Sequence, residues 1–191
     1  MGTINIEKAI TELASDAHNP EKNFNAGLAY NEIGQTASAV SFFLRAAEYG
    51  YNKTDLIVYT SLIKMSQCFL SQLEREHTVE NCLKQAIAYM PKRPEAYLFL
   101  SEFLERKKHF DQAYLWANIG LAFVDEAKNN PLPVDVGYVE YGLSFEKAVS
   151  AWWVGRKDES EEIFENLLDS YEMSVDHVNS SLYNLKTIKD K

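Results

Sequence analysis

The chain has 191 residues, 46% of them hydrophobic and 25% charged, enough apolar side chain for a packed core and too much for wholesale disorder. Lys and Arg number 19 against 28 Asp and Glu, a formal net charge of -9, and an acidic chain repels phosphate backbones, which excludes a general nucleic-acid binder. No apolar run approaches the roughly 18 residues that span a bilayer, so no membrane partner is expected, and two cysteines, Cys68 and Cys82, are too few for a disulfide framework and place the chain in a reducing cytoplasm.

The first predicted element is an amphipathic helix over 4–16. Its charged start does not read as a signal peptide, and after Gly2 the position where a myristoylation motif wants Ser or Thr holds Ile6. Asn19-Pro20 then supplies a cap and a first helical residue for a helix over 20–33, with Phe24, Gly27, Leu28 and Tyr30 on one face. Gly34 fits a left-handed C-cap, and Gly50 and Gly155 fit the same role after helices over 36–49 and 138–154. Between them, Leu62, Met65, Phe69 and Leu73 mark a helix over 54–73, and Thr78 is placed to cap one over 78–90. Pro94 opens a helix over 94–107, followed by one over 110–127. Lys128 to Pro133 reads as the one sizeable irregular loop. Helices over 157–170 and 174–188 complete the chain. No stretch alternates with period two, so no sheet is expected.

These helices repeat. Val79 to Ala113 and Ala86 to Gly120 are each 34 residues apart, and Ser66 to Ser101 is 35. Ala39 to Val79 and Ala46 to Ala86 are 40 apart, the same unit with a longer first helix and turn. Small residues recur where paired helices must touch: Gly27, Ser66, Ser101 and Ala148 in first helices, with Ala39, Val79, Ala113 and Ser160, then Ala46, Ala86, Gly120 and Leu167, in second helices. Larger residues fall between them, at Tyr30, Phe69 and Leu104 and at Phe43, Leu83 and Phe164. Ala151 and Leu167 break the size pattern in the fourth unit.

On these positions the chain resembles the tetratricopeptide (TPR) repeat proteins. The resemblance implies an all-α fold, a right-handed superhelix of antiparallel helix pairs, as a single domain over 1–191. Its units would span about 20–50, 54–91, 94–127 and 138–170, with capping helices at about 4–16 and 174–188. The runs GLAYNEIGQTASAVSFFLRAAEYG, KRPEAYLFLSEFLERKKHFDQAYLWANIGL and YGLSFEKAVSAWWVG also resemble helical-repeat modules of phage and marine bacterial proteins. Such modules are often joined to a glycosyltransferase-like domain. No transferase catalytic domain is found in these residues, so that resemblance implies an accessory role beside a transferase partner.

Catalytic chemistry is hard to find. His18, His77, His109 and His177 sit at predicted helix ends or turns without a His or Cys partner at i+3 or i+4, so no metal is expected. The eight Gly are scattered singly, which excludes a phosphate-binding loop or dinucleotide fingerprint, and no cofactor is expected. No Ser lies in a nucleophile elbow. Cys68 and Cys82 fall on consecutive helices and read as small buried apolar residues, with a redox pair as the alternative. Asp158, Glu159, Glu161, Glu162 and Glu165 open a helix whose dipole favours negative charge. Lys92, Arg93, Arg106, Lys107 and Lys108 read as surface charge bracketing one helix, with an anion-pairing patch as the alternative. Trp152 and Trp153, adjacent on a helix, point about 100° apart; both read as core, with recognition by one of them as the alternative.

In TPR arrays the first helices line a concave groove. Position by position, the resemblance places that groove through Asn31, Gln67, Glu102, Glu105 and one face of the helix bearing Trp152. The positions that hold Lys, Asn and Arg in the family's clamp for a peptide C-terminus hold Phe24, Leu28 and Leu98, so that clamp is absent. The expected function is a non-catalytic scaffold binding a protein or peptide partner in an apolar groove with an acidic rim. The rival occupant is the C-terminal helix, whose Val175, Val178, Leu182, Leu185 and Ile188 form an apolar stripe suited either to filling the groove or to capping the last hairpin.

Overall fold

The computed structural model describes residues 5–72, 75–135 and 138–190; Gly2, Ile4 and Leu73, named above, lie outside them. Every regular element among the described residues is an α-helix, and they divide into two compact units.

The first unit contains α1 (Ile6–Ser15), α2 (Pro20–Glu32), α3 (Thr36–Gly50), α4 (Asp55–Leu70) and α5 (Glu76–Tyr89), together with residues 131–135. Each helix packs on the next, and α2 also reaches α4. Helix starts follow local chemistry: the Asn5 side chain accepts from the backbone N–H groups of Glu7 and Lys8, and Asn19 accepts from Lys22 with Pro20 at the first helical position. Gly34, at φ +75°, turns the chain between α2 and α3. Gly27 lies so close to the Phe43 ring that a Cβ would sit 2.6 Å from it. That approach buries Phe43 completely and packs it on Phe24 with ring centroids 5.7 Å apart. Each such ring contributes about 1.5–3 kcal/mol of transfer free energy.

Gly50 corrects the sequence reading. It is the last residue of α3 and not a left-handed cap; Asn52, at φ 58°, makes the turn. A Cβ on Gly50 would lie 2.6 Å from Thr54 Oγ1 and 3.1 Å from Val58, so glycine is needed there for close approach. Nor does Thr78 cap α5. The helix starts two residues earlier, its first turn closed on the Arg75 carbonyl, which accepts from both Thr78 and Val79.

The second unit contains α6 (Glu95–Arg106), α7 (Phe110–Leu121), α8 (Val124–Asn129), α9 (Val139–Trp153), α10 (Lys157–Ser170) and α11 (Val175–Lys189). Helix α9 packs against α6, α7 and α10, and α11 packs on α10. The expected helix over 110–127 is broken at Ala122 and Phe123. Their N–H groups bond three residues back, to Ile119 and Gly120, and the tightened turn brings the Phe123 ring onto Tyr97, centroids 5.9 Å apart. The expected loop is correspondingly shorter, since Lys128 and Asn129 belong to α8. Arg93 holds this end of the unit. It is 1% exposed, pairs with the buried Glu95, and donates to the carbonyls of Glu126 and Asn130. The surface role expected of Arg93 is therefore wrong; its charge is consumed inside the fold.

The small positions named from the repeat spacing are buried in both units. Gly120 sits where a Cβ would be 2.7 Å from Tyr97 Cβ and 2.9 Å from Leu143. Ser101 and Ser160 are small enough for the contact and bury no unpaired hydroxyl, donating to the carbonyls of Tyr97 and Ala148. In the fourth hairpin the size exception at Leu167 is accommodated, since it joins Phe164 and Ala148 in a core covered by Phe145, Leu185 and Ile188.

Candidate functional site

In the first unit, Asn31 on α2 and Gln67 on α4 are brought to neighbouring positions. Cys68, the residue after Gln67, donates its thiol to Asn31 Oδ1 at 3.4 Å. Lys64, one turn before Gln67, donates to Gln67 Oε1 at 3.1 Å. Burial holds the Lys64 ammonium below its ordinary range, against which the charge of Asp135 acts in the opposite sense. Segment 131–135 thus supplies a carboxylate to α4, with Val134 buried. Sequence reasoning overlooked Lys64, although its i, i+3 spacing from Gln67 puts both on one helix face. Burial pushes the Cys68 thiol up to about 11 and raises Cys82 as well, so both are held as neutral thiols and neither is an activated nucleophile.

In the second unit, Glu102 and Glu105 of α6 face α9, where a third carboxylate, Glu146, joins them. Helix α9 carries Gly142, Glu146 and Ser150 at i, i+4 and i+8, a stripe of two small residues with a carboxylate between them. A Cβ on Gly142 would lie 3.0 Å from Leu98, which shows how closely this stripe approaches α6. Glu102 and Glu146 are each 8% exposed. Glu102 Oε1 accepts from the Tyr138 hydroxyl, and its Oε2 lies 3.7 Å from the guanidinium of Arg106, which is itself largely exposed. Glu146 Oε2 is buried with no hydrogen-bond partner.

Burial raises the Glu102 carboxyl, while the Tyr138 hydrogen bond and Arg106 act to lower it. Glu146 is raised well above the usual carboxylate range, first by burial and then by the neighbouring Glu102 and Glu105, with Arg106 opposing. Tyr138 is raised too, by burial and by bonding to Glu102. Sequence reasoning named Glu102 and Glu105 and overlooked Glu146. The available signal was a carboxylate interrupting the small-residue stripe of α9.

Other expectations resolve differently. Trp152 is half-buried, with the Lys157 ammonium 4.4 Å from its ring centroid. Trp153 is 61% exposed and stacks on Phe110, centroids 4.8 Å apart, so the expectation that both tryptophans are core is overturned. The clamp positions Phe24 and Leu98 are fully or almost fully buried and belong to the hairpin cores. Helix α11 caps the last hairpin through Leu185 and Ile188 and sets His177 against the rings of Tyr138, Tyr141 and Phe145. Val175 and Leu182 of its predicted apolar stripe remain exposed, because the stripe is wider than the face it covers. The acidic start of α10 is structural. Burial acts to raise Glu159, but bonds from Lys147, Tyr114 and Arg156 hold it below the usual range. Among the described residues, no group of His, Cys, Asp and Glu is arranged to hold a metal ion, and no helix is long and apolar enough to cross a membrane.

No family model matches the chain, and no curated protein matches it in sequence. Its fold, however, is similar to solved TPR structures. MamA aligns at 15% identity and a TM-score of 0.65 over 86% of this chain and 85% of its own. TTC0263, a thermophilic TPR protein of Thermus thermophilus, aligns at 15% identity and 0.63 over 95% and 89%. YrrB, described as a TPR protein with an unusual peptide-binding site, aligns at 13% identity and 0.57 over 86% and 75%. The fold is TPR-like.

Proposed function

We propose that this chain is a non-catalytic interaction module of TPR-like fold that binds a protein or peptide segment through the first helices of its hairpins. The observation that carries the reading is the placing of polar side chains on those helices. Asn31, Lys64 and Gln67 in the first unit, and Glu102, Glu105 and Glu146 in the second, are buried or half-buried groups that the small-residue packing of the hairpins does not use. Polar groups set among apolar side chains orient a ligand, and an interface gains affinity only after offsetting several kcal/mol of lost freedom. The unusual peptide-binding site of YrrB, on a similar fold, supports the same use here. Burial holds Cys68 and Cys82 as neutral thiols, so neither supplies an activated nucleophile.

Panning a random dodecapeptide library against the full chain tests the reading. Enriched peptides should bind Glu105→Lys more weakly than Glu162→Lys, a control of equal charge change on the second helix α10. Equal losses would show that net charge alone is being read. A narrower form, an accessory to a transferase in the cytoplasm, is supported only by the sequence runs quoted above. It predicts homologous chains in which this array is joined to a transferase domain.

A further inference from the structure

Resting on that reading, we propose that the carboxylates of Glu102, Glu105 and Glu146, between α6 and α9, form a receptor for one cationic side chain, a Lys or Arg, of the bound segment. Helices α6 and α9 pack on each other, the Tyr138 hydroxyl at the start of α9 donates to Glu102, and the charges of Glu102 and Glu105 act on Glu146, with Arg106 opposing. Arg106 lies at 3.7 Å from Glu102 Oε2, and its side chain is 57% exposed, so it holds that oxygen loosely and from the solvent side. Tyr138 occupies the other Glu102 oxygen. Glu146, 8% exposed like Glu102, differs from it in that its Oε2 is buried and unpartnered.

A carboxylate in that position is costly unless it is protonated or given both a donor and a positive charge. An ammonium or guanidinium on a long, flexible stem supplies both. Among the described residues, the charged or titratable groups that act on Glu146 are Glu102, Glu105 and Arg106 from α6, with Tyr138 at the start of α9 coupled to it. Lys147, next in sequence, points elsewhere and pairs with Glu159 at 2.9 Å.

The test uses peptides enriched by panning on the full chain. The strongest binders should carry a fixed Lys or Arg. Replacing it with norleucine should weaken binding at least about tenfold, as should Glu146→Gln in the protein, and the two changes together should cost no more than either alone. Peptides that bind Glu146→Gln as tightly as the parent would overturn the receptor while leaving the interaction module standing. Absence of any enriched peptide would count against the module itself. The receptor is then judged by a second measurement, the carboxyl titration of Glu146 followed by NMR on the full chain. N-acetyl-arginine amide should move that titration to lower pH, and N-acetyl-norleucine amide should not. No movement, or equal movement with both, would overturn the receptor.

Discussion

The first helices of the two units are packed alike and charged differently. On α2 and α4 the polar groups satisfy one another: Cys68 donates to Asn31, and Lys64 donates to Gln67 with Asp135 nearby. On α6 and α9 the groups carry one sign, and Glu146 Oε2 has no partner. Yet the small residues that seat each hairpin, Gly27 and Ser66 in one unit and Ser101 and Ala148 in the other, are buried in the same way. The comparison teaches that the positions that build the hairpins leave the chemistry of the exposed side of the first helices open. The first set is already paired within its unit, whereas the second is like-charged and under-partnered, and for that reason the proposed cationic side chain is assigned to the second.

The largest effect separates a paired buried carboxylate from an unpaired one inside the same unit. Arg93→Ala should destabilise the fold by about 3–5 kcal/mol in denaturant melts, because it removes the guanidinium that pairs with the buried Glu95. Arg93→Ala with Glu95→Ala should recover part of that loss, and no recovery would mean that the carbonyl bonds of Arg93 carry the effect. Next come Gly27→Leu and Ser101→Leu, one in each unit, each expected to cost about 1–3 kcal/mol by overpacking. A parent-like melt for either would contradict the equivalence of the two packings.

Glu146→Gln should instead raise stability at neutral pH, by about 1 kcal/mol. The folded carboxyl is raised above its unfolded value, so the folded state binds the extra proton. Parent stability should therefore fall as pH rises from the ordinary carboxylate range toward the raised value, and be free of this loss below that range. The advantage of the Gln variant should vanish in acid; the same advantage at every pH would contradict the burial argument. The smallest effect is expected for Asn31→Ala, about 0.5 kcal/mol, because the weak thiol hydrogen bond is all that it removes among the bonds described above.

Much of the fold was legible because its causes are local. The Asn19-Pro20 start and the left-handed Gly34 and Gly155 follow from backbone chemistry within a few residues. The 34-residue spacing of Val79, Ala86, Ala113 and Gly120 reports close helix contact directly. Where tertiary contact decides, the sequence misled. Gly50 is required by Thr54 and Val58 across the turn, and the α7–α8 break follows Gly120, a glycine that the repeat spacing reads as close packing, where Phe123 turns to meet Tyr97. The site was half legible. Glu102 and Glu105 sit one turn apart on α6, whereas Glu146 resembles any helical surface glutamate until α6 is packed over it. Arg93 resembled surface charge for the same reason, and burial, which no single position declares, reversed the reading.

The most direct test of the account is backbone amide NMR of the full chain titrated with its strongest enriched peptide. Shifts concentrated on α2, α4, α6 and α9, largest around Glu102 and Glu146, are the predicted result. Shifts concentrated instead on the second helices α3, α5, α7 and α10 would contradict it.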